Sequence, residues 1–194
     1  EGSIDDCLKI FTRILKREKI RENKNEFKAA LLVICKITNN HRRPLDFPDK
    51  ISQILRILKP DMLNYFSNWE IFNIFKSNKR VLLSLFREDI LVPDQTIYDI
   101  VNTDKYRSSF YIRYFFPEFK QFLSPEYLKQ YDLHGTDPDF DVKRKEGEND
   151  QEICKLIRKD SLEEFKNLVK QKNISLSSKI EPSYYETNQL LILP

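Results

Sequence analysis

The chain has 194 residues, 40% of them hydrophobic and 12% aromatic, so it is long and apolar enough to bury a sizeable core. Its three glycines, Gly2, Gly135 and Gly147, exclude the GxGxxG and Walker loops of nucleotide-binding enzymes and argue against a β-sandwich or barrel, which needs glycine at regular turns. Lysine and arginine number 33 against 30 aspartates and glutamates, a balance typical of a solvated surface of mixed sign rather than of a dedicated nucleic-acid domain.

Apolar residues recur at helical spacing from residue 4 to residue 131, in short runs separated by polar turns or by proline. We therefore predict eight or nine short helices in this range, without a convincing strand. Their starts are marked by Ser3, Asn25, Pro48, Pro60-Asp61, Asn68, the turn 77–80, Pro93-Asp94 and Ser124-Pro125. Asn25 is expected to cap the second helix, and Pro60 to end the third. The pattern favours an all-α fold, an α-solenoid-like array of stacked helical hairpins or an irregular bundle.

Composition changes after residue 131. Residues 132–150 are charged, contain two of the three glycines and have little to bury, so we expect a charged linker or loop. Two short helices are predicted beyond it, the first around residues 153–157 and the second over 162–169.

This final part resembles an ankyrin repeat. The resemblance lies in Glu152–Asp160, a short turn, Ser161–Lys170 with its acidic residue and spaced aliphatics, and the loop Asn173–Leu176. Lys172-Asn173 replaces the glycine that usually follows the second helix, and asparagine can adopt the left-handed conformation required there. Because the usual Thr-Pro-Leu-His tetrapeptide is absent, the resemblance implies a degenerate or capping repeat.

A longer stretch is similar to the junction region of a group of protozoan ankyrin-repeat proteins, in which a helical N-terminal region of unknown function precedes the repeats. The segments that carry this similarity are 153–161, 174–180 and 185–188, with 77–86 and 116–118 similar to the N-terminal region. The resemblance implies a helical N-terminal domain over 1–131 and the start of an ankyrin-like repeat region over 151–194. It also implies a non-enzymatic protein-interaction or scaffold role, and it supplies no catalytic residues.

The cysteines give no sign of chemistry. Cys7, Cys35 and Cys154 lie in apolar helical patterns, and without a CxxC spacing they predict neither disulfides nor a zinc site. We read them as buried residues of an intracellular reducing compartment, such as the cytoplasm. A nucleophilic thiol would need a base, and His41 and His134 both fall in polar turns. We therefore predict no enzyme, no catalytic residue, no cofactor and no metal.

One spacing imitates a calcium loop. Asp137, Asp139, Asp141 and Glu148 stand at suitable intervals, but Val142 occupies the position that requires glycine. Three basic residues follow directly at 143–145, so we interpret the stretch as a charged linker.

Basic residues among aromatic ones suggest an alternative function, a helical nucleic-acid-binding module. The set comprises Lys105, Arg107 and Arg113 with Tyr106, Tyr111 and Tyr114. Such pairs can stack on and read bases. Aromatic residues at helical spacing are more often core residues, and the leading prediction is therefore a protein partner rather than nucleic acid.

No stretch is long enough to span a membrane, because the longest apolar run is the seven residues 29–35. Charged residues interrupt residues 4–20, which are therefore not expected to be a signal peptide.

Leu190, Leu191 and Ile192 form an apolar C-terminal patch and are the candidate protein-binding residues. Because a solenoid end normally carries a polar cap, we expect this patch to bind a partner or a second copy, or to continue into further repeats. Alternatively, it folds back onto Leu168 and Val169. Tyr184 and the residues after it are predicted to form a loop toward the next repeat. Five hairpin residues should pack partly on the N-terminal helices: Ile153, Leu156, Leu162, Phe165 and Leu168.

Overall fold

The computed structural model describes residues 10–15, 19–40, 47–103, 108–131, 137–175, 177, 179–181 and 183–185. Their regular secondary structure is entirely helical, with no strand, which confirms the predicted all-α class. Within these ranges no helix is both long and apolar enough to cross a membrane.

The helices are short and follow one another closely. In chain order they are α1 (residues 10–15), α2 (Lys24–Asn40), α3 (Phe47–Tyr65), α4 (Asn68–Phe75), α5 (Lys79–Arg87), α6 (Gln95–Thr103), α7 (Ser108–Tyr114), α8 (Phe116–Phe119), α9 (Pro125–Tyr131), α10 (Phe140–Glu146), α11 (Glu152–Arg158) and α12 (Leu162–Gln171). Two 3₁₀ turns, Ile20–Glu22 and Lys120–Phe122, precede α2 and α9.

Helix α4 begins with a capping box. Ser67 Oγ accepts a hydrogen bond from the backbone N–H of Glu70, and the Glu70 carboxylate accepts one from the backbone N–H of Ser67 at 2.8 Å. This backbone hydrogen bond, with those from Lys24 and the Ser67 hydroxyl, lowers the pKa of Glu70 to about 2.

Short polar side chains cap other helices. Asn78 and Asp94 accept hydrogen bonds from the third backbone N–H after them, which begins α5 and α6. At α2 the capping residue is Asn23, whose Oδ1 accepts from the N–H groups of Asn25 and Glu26. The prediction that Asn25 caps this helix is therefore wrong by two residues.

Pro60 does not end the third helix, contrary to the prediction. Helix α3 continues through it to Tyr65. Proline removes only one backbone donor, and the residues on either side share a single apolar stripe. Leu55, Leu58 and Met62 on this stripe are all buried, so packing outweighs the cost of the proline.

The core lies where α3 packs on α5, α2 on α4 and α6 on α7. Aromatic rings from α5, α8 and the residue between α7 and α8 pack together in this core: Phe86 lies edge-on to Phe115, with ring centroids 5.4 Å apart, and Phe115 lies edge-on to Phe119. One buried cluster includes residues from Leu15 to Leu123 and also Phe140 and Tyr185.

Residues 140–146, inside the segment for which we predicted a linker or loop, form α10 instead. Phe140 is 1% exposed and belongs to the main core, and Arg144 is buried beside it. The Arg144 guanidinium donates hydrogen bonds to the Glu118 carboxylate at 2.7 Å and to the Tyr114 carbonyl at 2.8 Å. A single phenylalanine and a paired arginine thus attach the charged segment to the N-terminal helices.

Candidate functional site

Helices α11 and α12 pack chiefly on each other as a hairpin. The turn between them places Asp160 in the left-handed region, at φ 53°, and the Ser161 N–H returns to the Leu156 carbonyl. After α12 the left-handed residue is Asn173, at φ 48°. Its predicted conformation is therefore confirmed, and it turns the chain back along the hairpin.

An apolar groove of about 300 Å³ lies between this hairpin and the chain that follows it. We call it the hairpin groove. Its apolar walls are Ile153, Ile157, Phe165, Ile174 and Ile180. Lys179, Glu181 and Gln151 contribute polar groups to its lining. Ile157 is 55% exposed and Ile180 is 44% exposed, so the groove is open to solvent.

The hairpin residues predicted to pack on the N-terminal helices do not do so. Leu168 is buried but lies outside the main core cluster, and Leu162 is 59% exposed. Ile153, Leu156 and Phe165 are half-buried and are not among the residues packed against that cluster. This prediction is wrong because the apolar faces of the two short helices mostly pack against each other or line the hairpin groove.

The connection to the N-terminal helices comes instead from residues 183–185. Tyr185 is fully buried in the main core, where its ring lies edge-on to Phe140. The buried Lys79 donates a hydrogen bond to the Tyr184 carbonyl and lies 5.0 Å from the centre of the Tyr114 ring. Tyr184 and Tyr185 lie in a turn, in keeping with the predicted loop, but this turn packs into the core of the N-terminal helices. We call the 183–185 segment the tyrosine anchor.

Charged groups surround the anchor. Tyr185 donates a hydrogen bond to Asp137 at 2.7 Å, and Lys143 donates to both oxygens of the same carboxylate. Burial alone would raise the pKa of Asp137, but these hydrogen bonds lower it below its usual range. The Asp137 hydrogen bond in turn raises the pKa of Lys143, while burial raises that of Tyr185. Asp137 and Lys143 therefore both stay ionised at neutral pH and form an ion pair.

Asp137 is the first residue of the calcium-like spacing, and its carboxylate binds the Lys143 ammonium rather than a metal ion. The Lys143 ammonium lies 2.8 Å from Asp137, and Asp141 instead accepts a hydrogen bond from Arg144. Among the described residues there is no group of three or more side chains that could hold a metal ion.

Two of the three cysteines, Cys35 and Cys154, lie among the described residues. Cys35 is buried, 3.3 Å from the Ser77 hydroxyl, and burial raises the pKa of its thiol. Cys154 is half-buried, and neither of these two forms a disulfide. Cys7, His41 and His134 lie outside the described residues.

Tyr111 and Tyr114, the described aromatic residues of the nucleic-acid alternative, make hydrogen bonds within the fold. Tyr114 is buried and its hydroxyl donates to the Arg144 carbonyl at 2.7 Å. The Tyr111 hydroxyl donates to the Lys76 carbonyl. Burial leaves the Tyr114 ring no face on which a base could stack.

Several predicted residues lie outside the described part of the chain. They are Lys105, Tyr106 and Arg107 of the basic set and the candidate protein-binding residues Leu190, Leu191 and Ile192. No protein-family model, curated protein or solved structure matches the chain.

Proposed function

We propose that this chain is a non-enzymatic protein-interaction or scaffold module and that the hairpin groove binds an apolar segment of a partner protein. The observation that carries the proposal is the open groove, whose walls are five large apolar side chains. An apolar centre with polar groups near it is the arrangement of protein-binding surfaces. Helical repeats characteristically stack on the exposed face of the preceding pair, and α11 and α12 present such a face.

The interpretation of the α11–α12 hairpin as an ankyrin-like repeat remains part of the proposal. Its two short helices, the left-handed Asn173 and the chain returning along them support it. Leu190, Leu191 and Ile192 remain the proposed continuation of the binding surface, toward a partner or a second copy. Changing them to Ser, Glu and Ser should reduce self-association without loss of stability, as measured by sedimentation and urea unfolding.

The non-enzymatic part rests on the side chains present. Burial raises the pKa of the Cys35 thiol, which disfavours the nucleophilic thiolate, and Asp137 and Asp141 are engaged by Lys143 and Arg144. Cys35 and Cys154, neither of which forms a disulfide, are consistent with the proposed reducing intracellular compartment.

The test compares two double variants of the full chain as baits. Ile157→Ser with Ile180→Ser removes apolar surface from the groove, whereas Ile57→Ser with Val92→Ser removes equally exposed apolar surface elsewhere. Half-exposed isoleucines still have roughly 1 kcal/mol each to gain on burial, so the groove variant should bind a partner at least about tenfold more weakly. The control variant should bind like the unaltered chain. Equal binding by all three would refute the proposal.

Salt dependence separates a protein partner from nucleic acid. An apolar interface should keep its affinity between about 50 and 200 mM salt. A nucleic-acid complex with six to ten phosphate contacts would lose about 10³–10⁵ in affinity over the same range, and such a loss would favour the alternative function.

A further inference from the structure

A second cavity, of about 280 Å³, lies between α3, α5 and α10, away from the hairpin groove. We call it the basic cleft. Its charged lining comprises Arg56, Arg80, Arg87, Lys145, Asp49 and Glu88. Because cavities that enclose drug-sized ligands are about 300–1,000 Å³, this one is of a size for a small molecule.

The helical register brings these side chains together. Arg80, Ser84 and Arg87 follow one another at intervals of four and three along α5, and Ser52 and Arg56 lie four apart on α3. Such intervals place the residues on one face of each helix. The apolar stripes of the same helices form the core, so their polar faces meet at its edge.

The cleft carries more positive than negative charge. Four cationic side chains face it with two carboxylates, an excess of two positive charges. The whole chain has a net charge of only +3, so an excess of two positive charges at one cavity is large for this protein.

The ion pairs at the cleft are open to exchange. Lys145 contacts Asp49 at 2.9 Å, with both side chains about half-exposed. Arg87 reaches Asp141 at only 3.7 Å. Arg56 donates two hydrogen bonds to Glu88, yet its side chain is 65% exposed. The exposed Lys145–Asp49 and Arg87–Asp141 pairs should contribute about 0–1 kcal/mol each, so a bound dianion can replace them. Arg56 would have to exchange the Glu88 carboxylate, whose side chain is only 19% exposed, for the dianion.

Two hydroxyl groups also line the cleft. Ser52 Oγ donates a hydrogen bond to Ser84 Oγ at 3.1 Å, where α3 and α5 approach each other, and Ser84 Oγ donates to the Arg80 carbonyl at 3.2 Å. Both serines line the cavity together with the guanidinium groups. The hydroxyls thus order the wall of the cleft, while the planar guanidiniums match the oxygens of a phosphate group, which accepts paired hydrogen bonds.

We propose that the basic cleft is a binding site for a phosphate dianion, either free or as the phosphate group of a small ester. The excess of two positive charges in the lining, the guanidinium donors and the cavity volume carry this assignment. It does not depend on the hairpin groove.

Calorimetric titration of the full chain at matched ionic strength tests the proposal. Inorganic phosphate and glycerol 3-phosphate are titrated separately near pH 7.5, where both are mostly dianions, with methyl sulfate as a monoanion. We expect saturable binding of a phosphate and at least about tenfold weaker binding of methyl sulfate. Tighter binding of the ester would assign the rest of the cavity to its organic part, whereas equal binding would assign the site to phosphate itself.

Variants locate the site. Arg56→Gln with Arg87→Gln should weaken phosphate binding at least about tenfold. Lys28→Gln with Lys36→Gln removes the same charge from exposed positions of α2 and should leave affinity within about twofold. Glu88→Gln, which removes the carboxylate that competes for Arg56, should tighten binding.

Three outcomes would overturn the proposal. They are the absence of saturable phosphate binding by the unaltered chain, methyl sulfate binding as tight as phosphate binding, and equal losses in the cleft and α2 variants. Because Glu88→Gln predicts a gain, the site can be tested even if the arginine variants unfold.

Discussion

Phe140→Ala should destabilise the chain by about 3–5 kcal/mol, the usual cost of replacing a buried phenylalanine with alanine. Phe140 is 1% exposed and belongs to the main core. Its ring centroid lies 6.0 Å from that of Tyr185 and 5.0 Å from the Arg144 guanidinium. An aromatic pair of this geometry contributes about 0.5–1.5 kcal/mol beyond area burial, which favours the upper part of the range. A domain is typically stable by about 5–15 kcal/mol, so the loss should be large and measurable.

Val142→Ala is the matched control for this prediction, because Val142 lies on the same helix but is 57% exposed. Urea unfolding followed by circular dichroism should show little change for this variant, within about 0.5 kcal/mol. If α10 were a solvated linker, the two variants would unfold alike. A loss below about 1 kcal/mol for Phe140→Ala would refute our assignment of this helix to the core.

Three further predictions concern single side chains. Glu118→Gln leaves the buried Arg144 without one of its two carboxylate partners and should cost about 3 kcal/mol in urea unfolding, whereas a loss near zero would show the pair to be dispensable. Because the pKa of Glu70 is lowered to about 2 from 4.5, its contribution to stability is present above pH 4.5 and is lost as the pH falls toward 2. Unfolding at roughly pH 5 and pH 3 should therefore show a smaller drop for Glu70→Gln than for the unaltered chain, and equal drops would contradict this. Iodoacetamide should modify Cys154 before Cys35, whose thiol is buried and has a raised pKa, and peptide mass mapping that found the reverse order would contradict the burial of Cys35.

The sequence predicted a helix well where an apolar stripe, a capping residue and a polar turn all indicated the same helix. In α5 the predicted stripe Val81, Leu82, Leu85 and Phe86 is buried throughout. The pattern failed at Pro60, since proline is a strong local signal for a helix end but its effect depends on what the flanking residues pack against. That information is tertiary, and spacing along one segment does not contain it.

The tyrosine anchor could not be predicted for a related reason. Tyr185 reaches Asp137 across 48 positions, and Lys79 reaches Tyr184 across 105. Residues 132–150 were predicted to be a linker because their composition is charged, and among the described residues 137–150 Phe140 is the only large apolar side chain that is buried. The tyrosine pair itself was visible in the sequence, but its partners were not. The basic cleft was not predicted because its arginines come from separate helices. In the sequence, the polar side of each helix alone has the pattern of an ordinary solvent-exposed face.

Helix α10 contributes to both the tyrosine anchor and the basic cleft. Phe140 and Lys143 contact Tyr185, while Lys145 lines the cleft. Shared position alone does not couple binding at the cleft to binding at the hairpin groove, because coupling requires a second arrangement of α10 with different affinities. The groove and cleft experiments therefore alter Ile157, Ile180 and the cleft arginines, none of which lies on α10, so each result reports on one surface. Only a change in groove affinity upon addition of phosphate would then reveal that α10 connects the two.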